Sequence, residues 1–303
     1  MDIRKTYTLK WKDHKLELGV QTRIMGIVNI TPDSFSDGGH FFSFDAAVEQ
    51  GEKLAEDGAD ILDIGGESTR PYSEPVSAEE EIRRVIPVIE HLAKRISIPV
   101  SIDTTKALVA KRALDAGASI INDVSALRLD SQMAGVAAEY GVPIIVMHML
   151  GTPKNMQISP EYKNLLGEIT GFLDDAIKRG EKQGISRSNI IIDPGIGFGK
   201  TVLHNLLLIQ NLHEFKKLDA PILMGPSRKA FIRNILKGTR QGDISPLSPV
   251  VETGTHAVTA AAVLQGAHIV RVHDVAATRA TIQIADAIIN AKQAGGSSPQ
   301  IIP

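Results

Sequence analysis

Polar side chains stand where aliphatic stretches of this chain end. Three segments repeat one pattern, in which a glycine leads into aliphatic residues and an Asp, Asn or Arg follows five positions after it: 58–63, 117–122 and 266–271. The glycine suits the end of a helix, and the aliphatic residues suit a buried strand. A polar group has little packing value there, whereas α/β barrels build their sites from strand ends. The pattern therefore predicts the rim of an enzyme-like site.

The candidate rim residues fall into two chemical sets. The cationic side chains, which suit a phosphate or diphosphate, are Arg70, Arg271 and His273. The carboxylate and amide side chains suit the N–H edge of a nitrogen-rich ring, whose carbonyl oxygen Lys229 could meet; they are Asp63, Asp103, Asn122 and Asp193. Segment 225–229 opens a predicted helix, so its backbone N–H groups would add to an anion pocket.

Several of these residues also have ordinary structural explanations. Asp103 could cap the helix after it. A histidine such as His148 is more often a core residue with satisfied hydrogen bonds than a catalytic residue. Segment 65–71 could be a turn with a surface arginine. Segment 29–39 could be a solvated loop, or a mobile lid whose oxygens suit Mg²⁺.

Alternating apolar and amphipathic segments must position these groups. The predicted strands are 24–30, 59–64, 99–103, 119–123, 142–148, 190–193, 221–224 and 268–273. The predicted helices are 44–57, 78–95, 105–116, 162–183, 202–218, 229–236 and 254–265. This pattern favours an α/β fold of the closed (β/α)8 TIM barrel type, with an open doubly wound sheet as the alternative.

The expected organisation is one barrel with two short additions. Alternating stretches 6–11 and 15–20 predict a β-hairpin within residues 1–20, expected to close the barrel bottom. Residues 21–292 form the catalytic barrel, and 293–303 are expected to be a mobile tail.

Composition narrows the function classes. A net charge of -2 gives no general attraction to nucleic acid or to an anionic membrane. The absence of cysteine excludes disulfides, thiolate zinc sites and cysteine nucleophiles. No signal-peptide core or run of about 20 apolar residues is visible, so a cytoplasmic location is expected.

Five stretches, in the same order, resemble the dihydropteroate synthase family. The first two are long and specific: MGIVNITPDSFSDGG at 25–39 and DIGGESTRP at 63–71. The others are DPGIGFGK at 193–200, SRK at 227–229 and RVHD at 271–274. The resemblance covers about residues 20 to 290. It departs at Leu150, at Ala230 and over 241–250.

The resemblance implies a reaction and a role for each matching residue. 6-Hydroxymethyl-7,8-dihydropterin pyrophosphate and p-aminobenzoate would give dihydropteroate and pyrophosphate with Mg²⁺, in an enzyme class that sulfonamides target. The pterin ligands would be Asp103, Asn122, Asp193 and Lys229. The diphosphate ligands would be Arg70, Arg271 and His273, with Asn29 on the metal. The aminobenzoate site would comprise Phe35, Thr69, Pro71, Phe198 and Ser227, with Asp37 in the lid. Catalysis would rest on Asp103, Lys229, Arg271, His273 and Asn29.

Two other functions share part of this site. A pterin-dependent methyltransferase acting on a corrinoid protein would use the same Asp and Asn residues, but it would not need the 29–39 lid or a diphosphate pocket. A non-catalytic pterin-binding protein would not need the full set of cations. The resemblance also implies a homodimer formed through barrel helices.

Overall fold

The computed structural model describes residues 4–30, 40–68, 74–152, 155–239 and 242–294. Eight parallel strands form one sheet. In chain order, after the two strands of the N-terminal hairpin, they are β3 (Arg23–Asn29), β4 (Ile61–Gly65), β5 (Val100–Asp103), β6 (Ile120–Asp123), β7 (Ile144–Met147), β8 (Ile190–Asp193), β9 (Leu223–Met224) and β10 (Ile269–Val272). Their order across the sheet is β8-β7-β6-β5-β4-β3-β10-β9. The fold is therefore the predicted (β/α)8 barrel.

Closure between the first and last strands of that order is slight. One parallel bridge joins Ile192 to Ile222, and Ile192 N–H donates to Pro221 O at 2.9 Å. The other neighbouring strands form regular ladders, such as the five register pairs between β3 and β4.

Helices cover the outside of the barrel. They are α1 (His40–Glu56), α2 (Ala78–Arg95), α3 (Ala107–Asp115), α4 (Met133–Tyr140), α5 (Leu165–Lys182), α6 (Val202–Gln210), α7 (Ala230–Lys237), α8 (Pro249–Leu264) and α9 (Val275–Ala294). Short 3-10 helices span Arg187–Asn189 and Leu212–Leu218. No helix in the described part of the chain is long and apolar enough to cross a membrane.

The core lies both inside the barrel and between the strands and helices. Every residue of β4 to β9 is buried, which explains why these strands read as continuous aliphatic runs rather than as alternating ones. The polar residues Asp63, Asp103, Asn122 and Asp193 interrupt those runs at or near their carboxyl ends, and the fold carries them into one rim.

The N-terminal hairpin is present as expected. β1 (Tyr7–Trp11) pairs antiparallel with β2 (His14–Leu18), and both turn Leu9, Leu16 and Leu18 into the core. His268, at the start of β10, accepts from Ile222 N–H through Nδ1 at 3.1 Å, so its Nε2–H donates to Lys5 O at 3.0 Å. The hairpin segment is thus tied to the amino ends of the barrel strands.

A buried ion pair links the two ends of the chain. Arg4 Nη2 lies 3.1 Å from Asp286 Oδ1, and their side chains are 4% and 11% exposed. Asp286 also accepts from Thr22 N–H at 2.7 Å and from the Thr22 hydroxyl at 2.8 Å. Arg4 Nη1 donates to Ala267 O at 2.7 Å. The chain before β3, the start of β10 and helix α9 therefore share one network.

Four helix predictions were wrong in detail. The predicted helix 44–57 begins earlier, at His40. The predicted helix 202–218 is divided at Asn211, whose side-chain amide donates to Leu207 O at 2.8 Å; asparagine competes in this way with continuing helix. The predicted helix 254–265 begins earlier, at Pro249, a residue suited to a first helical position. The predicted helix 162–183 begins at Leu165, after the Asn164 cap.

The sequence pattern does not predict two helices, α4 and α9. α4 has only eight residues, and its Ala, Gly and Val content gives little contrast between a polar and an apolar face. α9 follows the rim residues at once, with Asp274 accepting from Ala277 N–H at 3.0 Å. The predicted mobile tail 293–303 begins too early, because Gln293 and Ala294 belong to α9; the rest of it lies outside the described residues.

Replacing Asp286 with Ala should lower the free energy of unfolding by about 3–5 kcal/mol, because Arg4 would stay buried without its counter-charge. Urea denaturation followed by circular dichroism measures the change. Lys178→Ala is the control, since its pair with Asp174 is 65% and 36% exposed and is worth about 0.5 kcal/mol or less. Equal losses of unfolding free energy in the two variants would contradict the conclusion that Arg4 depends on Asp286 as its buried counter-charge.

Candidate functional site

Arg271 of β10 lies between two buried carboxylates at the carboxyl end of the barrel. Its Nε donates to Asp63 Oδ2 of β4 at 2.5 Å, and its Nη2 donates to Asp103 Oδ2 of β5 at 2.8 Å. The Asp63 side chain has no exposed surface, and that of Asp103 is 9% exposed. Burial strongly penalises an unpaired charge. The guanidinium and the two carboxylates therefore each need the opposite charge of the other to remain buried and ionised.

Asn122 extends this group onto the next strand. It is the register partner of Asp103 between β5 and β6, and its side-chain amide donates to Asp63 Oδ2 at 2.9 Å. The other oxygen of each carboxylate, Asp63 Oδ1 and Asp103 Oδ1, is buried and accepts no hydrogen bond from any residue that the structure describes. Buried acceptors are almost always satisfied. Asp63 has no exposed surface, whereas the Asp103 side chain reaches the rim, so Asp103 Oδ1 is the oxygen that suits an N–H donor of a ligand.

Asp193 and Lys229 form the opposite part of the rim. Asp193 ends β8 and accepts from Gly195 N–H at 2.7 Å. Lys229 precedes α7, and its Nζ lies 4.1 Å from the centre of the Phe198 ring. This cation–π contact joins a predicted pterin ligand to a predicted aminobenzoate residue.

The turn before α7 brings Ser227 to His273. Ser227 Oγ and His273 Nδ1 are 2.8 Å apart, and His273 N–H donates to Ser227 Oγ at 3.3 Å. Arg228, between Ser227 and Lys229, has a left-handed φ of 57°. Its N–H donates to Thr255 Oγ1 at 3.1 Å and its Nε to Glu252 at 2.9 Å. Helix α8 therefore holds the backbone conformation that aims Ser227 and Lys229 at the rim.

Burial shifts the titration of three rim groups toward neutral pH. It raises the pKa of Asp103 to about 7, against the opposing charge of Arg271. It raises the pKa of Asp193 to about 6, against the Gly195 N–H and Lys229. It lowers the pKa of Lys229 to about 8, with Arg271 adding to the shift and Asp193 and Asp103 opposing it. Such mutual perturbation of groups from several strands is typical of functional sites.

A second charged cluster supports the segment after β4. Lys106 Nζ lies 2.7 Å from Glu67 Oε2 and 2.6 Å from Glu81 Oε2. Glu67 also accepts from Val76 N–H at 2.8 Å. These contacts anchor the last described residues before position 69 to α2 and to the start of α3.

The structure brings together most of the residues chosen from the sequence. Asp103, Asn122, Asp193, Lys229 and Arg271 interact around one rim, with Phe198, Ser227 and His273 beside Lys229, and Asn29 ends β3 at the same end of the barrel. Five candidates lie outside the described residues: Phe35, Asp37, Thr69, Arg70 and Pro71.

Sequence reasoning underrates three residues here. Asp63 is grouped only with the carboxylates that suit the nitrogen-rich ring, yet both Arg271 and Asn122 bind it; its place near a strand end was the available signal. Arg271 is predicted only as a diphosphate ligand, and the structure adds two carboxylate partners, Asp63 and Asp103. Lys200 is considered only as the last residue of the motif at 193–200. No sequence pattern indicates its contact with His148 at 2.9 Å.

Comparison with known proteins agrees with this geometry. The model of the pterin binding enzyme family matches residues 25–273. The dihydropteroate synthase of Synechocystis is 46% identical over 270 residues, which are 89% of this chain and 91% of the relative. That of Bacillus subtilis is 43% identical and covers 95% of this chain and 96% of its own.

Solved structures show the same similarity. A Yersinia pestis dihydropteroate synthase in complex with a sulfonamide drug superposes with a TM-score of 0.86 at 40% identity, over 94% of this chain and 99% of the other. The Xanthomonas albilineans enzyme with 4-aminobenzoic acid gives 0.82 at 40% identity, over 97% and 100%. The chain belongs to the dihydropteroate synthase family of pterin binding enzymes.

Proposed function

We propose that this rim condenses 6-hydroxymethyl-7,8-dihydropterin pyrophosphate with p-aminobenzoate to give 7,8-dihydropteroate and pyrophosphate. The observation that carries the proposal is Asp103 Oδ1, a carboxylate oxygen that no described residue satisfies, on a side chain that keeps 9% of its surface exposed at the rim. A pterin edge presents several N–H donors, and those are the groups that such an oxygen requires.

In this proposal, protein groups bind the pterin ring from three sides. Asp103 accepts hydrogen bonds from one edge of the ring, and the Asn122 amide accepts from or donates to the same edge. Asp193 accepts at another edge, and Lys229 donates to the ring carbonyl. The aminobenzoate ring lies against Phe198, with Ser227 near its carboxylate. Arg271 and His273 face the diphosphate, together with Arg70.

The reaction needs no strong base if the C–O bond to the diphosphate breaks first or nearly first. The methylene carbon then carries positive charge, which the buried carboxylate of Asp103 stabilises. The arylamine nitrogen forms the new C–N bond and loses its proton afterwards to water or to pyrophosphate. Arg271 favours the anionic form of Asp103, because its charge opposes the rise in the pKa of that carboxyl.

A divalent cation fits this arrangement. Mg²⁺ is commonly held by one or two protein oxygens together with substrate phosphates, and Asn29 offers an amide oxygen at the end of β3, where its side chain is half-buried. Asp37 is a further candidate from the lid. When bound, the ion would neutralise charge on the departing diphosphate.

The test of the function is the release of pyrophosphate. Protein mixed with the pterin pyrophosphate and Mg²⁺ should release it only when p-aminobenzoate is added, and chelation with EDTA should abolish the release. A coupled phosphate assay measures it. Release that ignores aminobenzoate would contradict the synthase, and methyl transfer from methyltetrahydrofolate to a corrinoid protein would support the alternative enzyme.

Replacing Asp103 with Asn should lower kcat by about 10²–10³-fold, since it removes the negative charge nearest the developing cation. Asp175→Asn, a change at an exposed position of α5, should leave kcat unchanged. Circular dichroism checks that both variants fold. A near-normal kcat for the Asp103 variant would remove this residue from the mechanism.

The chain is also proposed to form a homodimer through α6, α7 and α8. α6 packs against α7 and α8. Together with the loop before α8, the three helices expose a group of apolar side chains: Leu203, Leu206, Leu207, Ile235, Leu236, Leu247 and Val250. A cluster of this kind is typical of a protein interface, and a second copy of the chain is the partner that the family resemblance implies.

Light scattering after size exclusion should give a mass near twice 32.6 kDa. The double variant Leu203→Glu/Leu236→Glu should shift it to the single-chain mass, because charge is costly in an apolar interface. Leu108→Glu is the control, since Leu108 is exposed on α3, away from this surface. A single-chain mass for the unmodified protein would rule the dimer out.

A further inference from the structure

Lys200 is buried at the end of the segment that follows β8, and its ammonium has three partners. Nζ lies 2.9 Å from Gly195 O, 2.9 Å from Phe198 O and 2.9 Å from His148 Nδ1. The residue is 4% exposed. An ammonium group carries three N–H donors, so each donor has one acceptor.

The three acceptors connect two different strand ends. Gly195 and Phe198 belong to the segment after β8, whereas His148 follows β7. Because Lys200 donates to Nδ1, the proton of the His148 ring sits on Nε2, and the ring is neutral; burial and the Lys200 charge hold its pKa well below the ordinary value. His148 N–H also donates to Asp193 O at 2.9 Å. The ammonium therefore fastens the segment to the neighbouring strand.

The histidine itself is held by the helix layer. Its ring meets Phe172 of α5 edge-on at 4.8 Å between centroids and lies 6.0 Å from Tyr162. The Tyr162 hydroxyl donates to Gly199 O at 2.8 Å. Lys200 is thus bonded to a ring that cannot easily move.

The fastened segment has little stiffness of its own. Gly195, Gly197 and Gly199 adopt φ values of 69°, 81° and 63°, which glycine reaches freely and other residues rarely do. A Cβ on Gly195 would lie 1.9 Å from His148 O. A glycine-rich backbone that is packed so closely loses much conformational entropy on ordering, and the lysine contacts offset that cost.

The segment carries one proposed contact to each substrate. Asp193 begins it and faces the pterin, and Phe198 carries the ring proposed to face the arylamine. Burial lowers the pKa of Lys200 to about 7, Asp193 opposes the shift and Lys229 adds to it; the three hydrogen bonds that the ammonium donates also favour the charged form. No carboxylate among the described residues forms an ion pair with Lys200 at its Nζ, so its charge is directed at backbone carbonyls and a neutral ring.

We propose that Lys200 is a positioning residue for the condensation: its ammonium fixes segment 193–199 in the form that presents Asp193 to the pterin and Phe198 to the arylamine. The inference rests on the proposed function. It differs from a role in general stability because one side chain is assigned the placement of both substrates.

The decisive variant is Lys200→Met, which keeps the length of the side chain and removes the three donors. We expect KM for each substrate to rise roughly tenfold or more, since a lost charge-assisted hydrogen bond is worth at least a factor of ten, with a smaller fall in kcat. Loss of stability alone would lower kcat per total protein at unchanged KM. Lys182→Met, on exposed surface at the end of α5, is the matched control.

Two further measurements keep the inference falsifiable if the Met variant folds poorly. In Lys200→Ala, added n-propylammonium should restore low KM values and n-propanol should not. His148→Asn keeps an acceptor near Nδ1 and should be milder than His148→Leu. KM values within twofold of the unmodified protein for both Lys200 variants would overturn the proposal.

Amide hydrogen exchange separates this inference from the reaction itself. Lys200→Met should speed exchange over 193–199 by about tenfold or more while β7 stays protected, whether or not the protein turns over substrate. An inactive unmodified protein would refute the synthase function, and this measurement would still decide whether Lys200 fixes the segment. Unchanged exchange in the variant would refute that.

Discussion

The rim depends on one buried guanidinium held between two carboxylates. Arg271 reaches Asp63 and Asp103 from the far side of β3, so three strands contribute to a single charge group. Buried ion pairs add little net stability over apolar packing, but they penalise any arrangement in which one member is missing. The group therefore fixes the relative positions of β10, β4 and β5, and the oxygen Asp103 Oδ1, which it leaves unsatisfied, marks where a ligand donor is needed.

Much of the fold could be predicted from the sequence because parallel barrel strands are buried on both faces and read as aliphatic runs. The strand ends could be predicted equally well, since a polar residue such as Asp193 contrasts with the three isoleucines before it. The helices were harder to predict. α4 lacks a polar face, and the break at Asn211 depends on a single local hydrogen bond.

The sequence predicts which residues belong to the candidate site, but not which of them contact one another. Strand-end residues can be named one at a time, whereas the contact of Arg271 with Asp63 joins positions 208 residues apart and depends on which strands become neighbours. The same holds for Ser227 and His273. The left-handed turn at Arg228 has no sequence signal, because it exists only through the bonds that α8 supplies.

The slender junction between β8 and β9 has a consequence for the motions of the barrel. A closed barrel has no free edges, but a closure made by one bridge at Ile192 and Ile222 leaves two strands able to part at little cost in main-chain bonding. Asp193 ends β8, on one side of this junction, and Lys229 follows β9, on the other side. Transient separation of β8 and β9 would change the distance between Asp193 and Lys229 while the remaining strands keep their register.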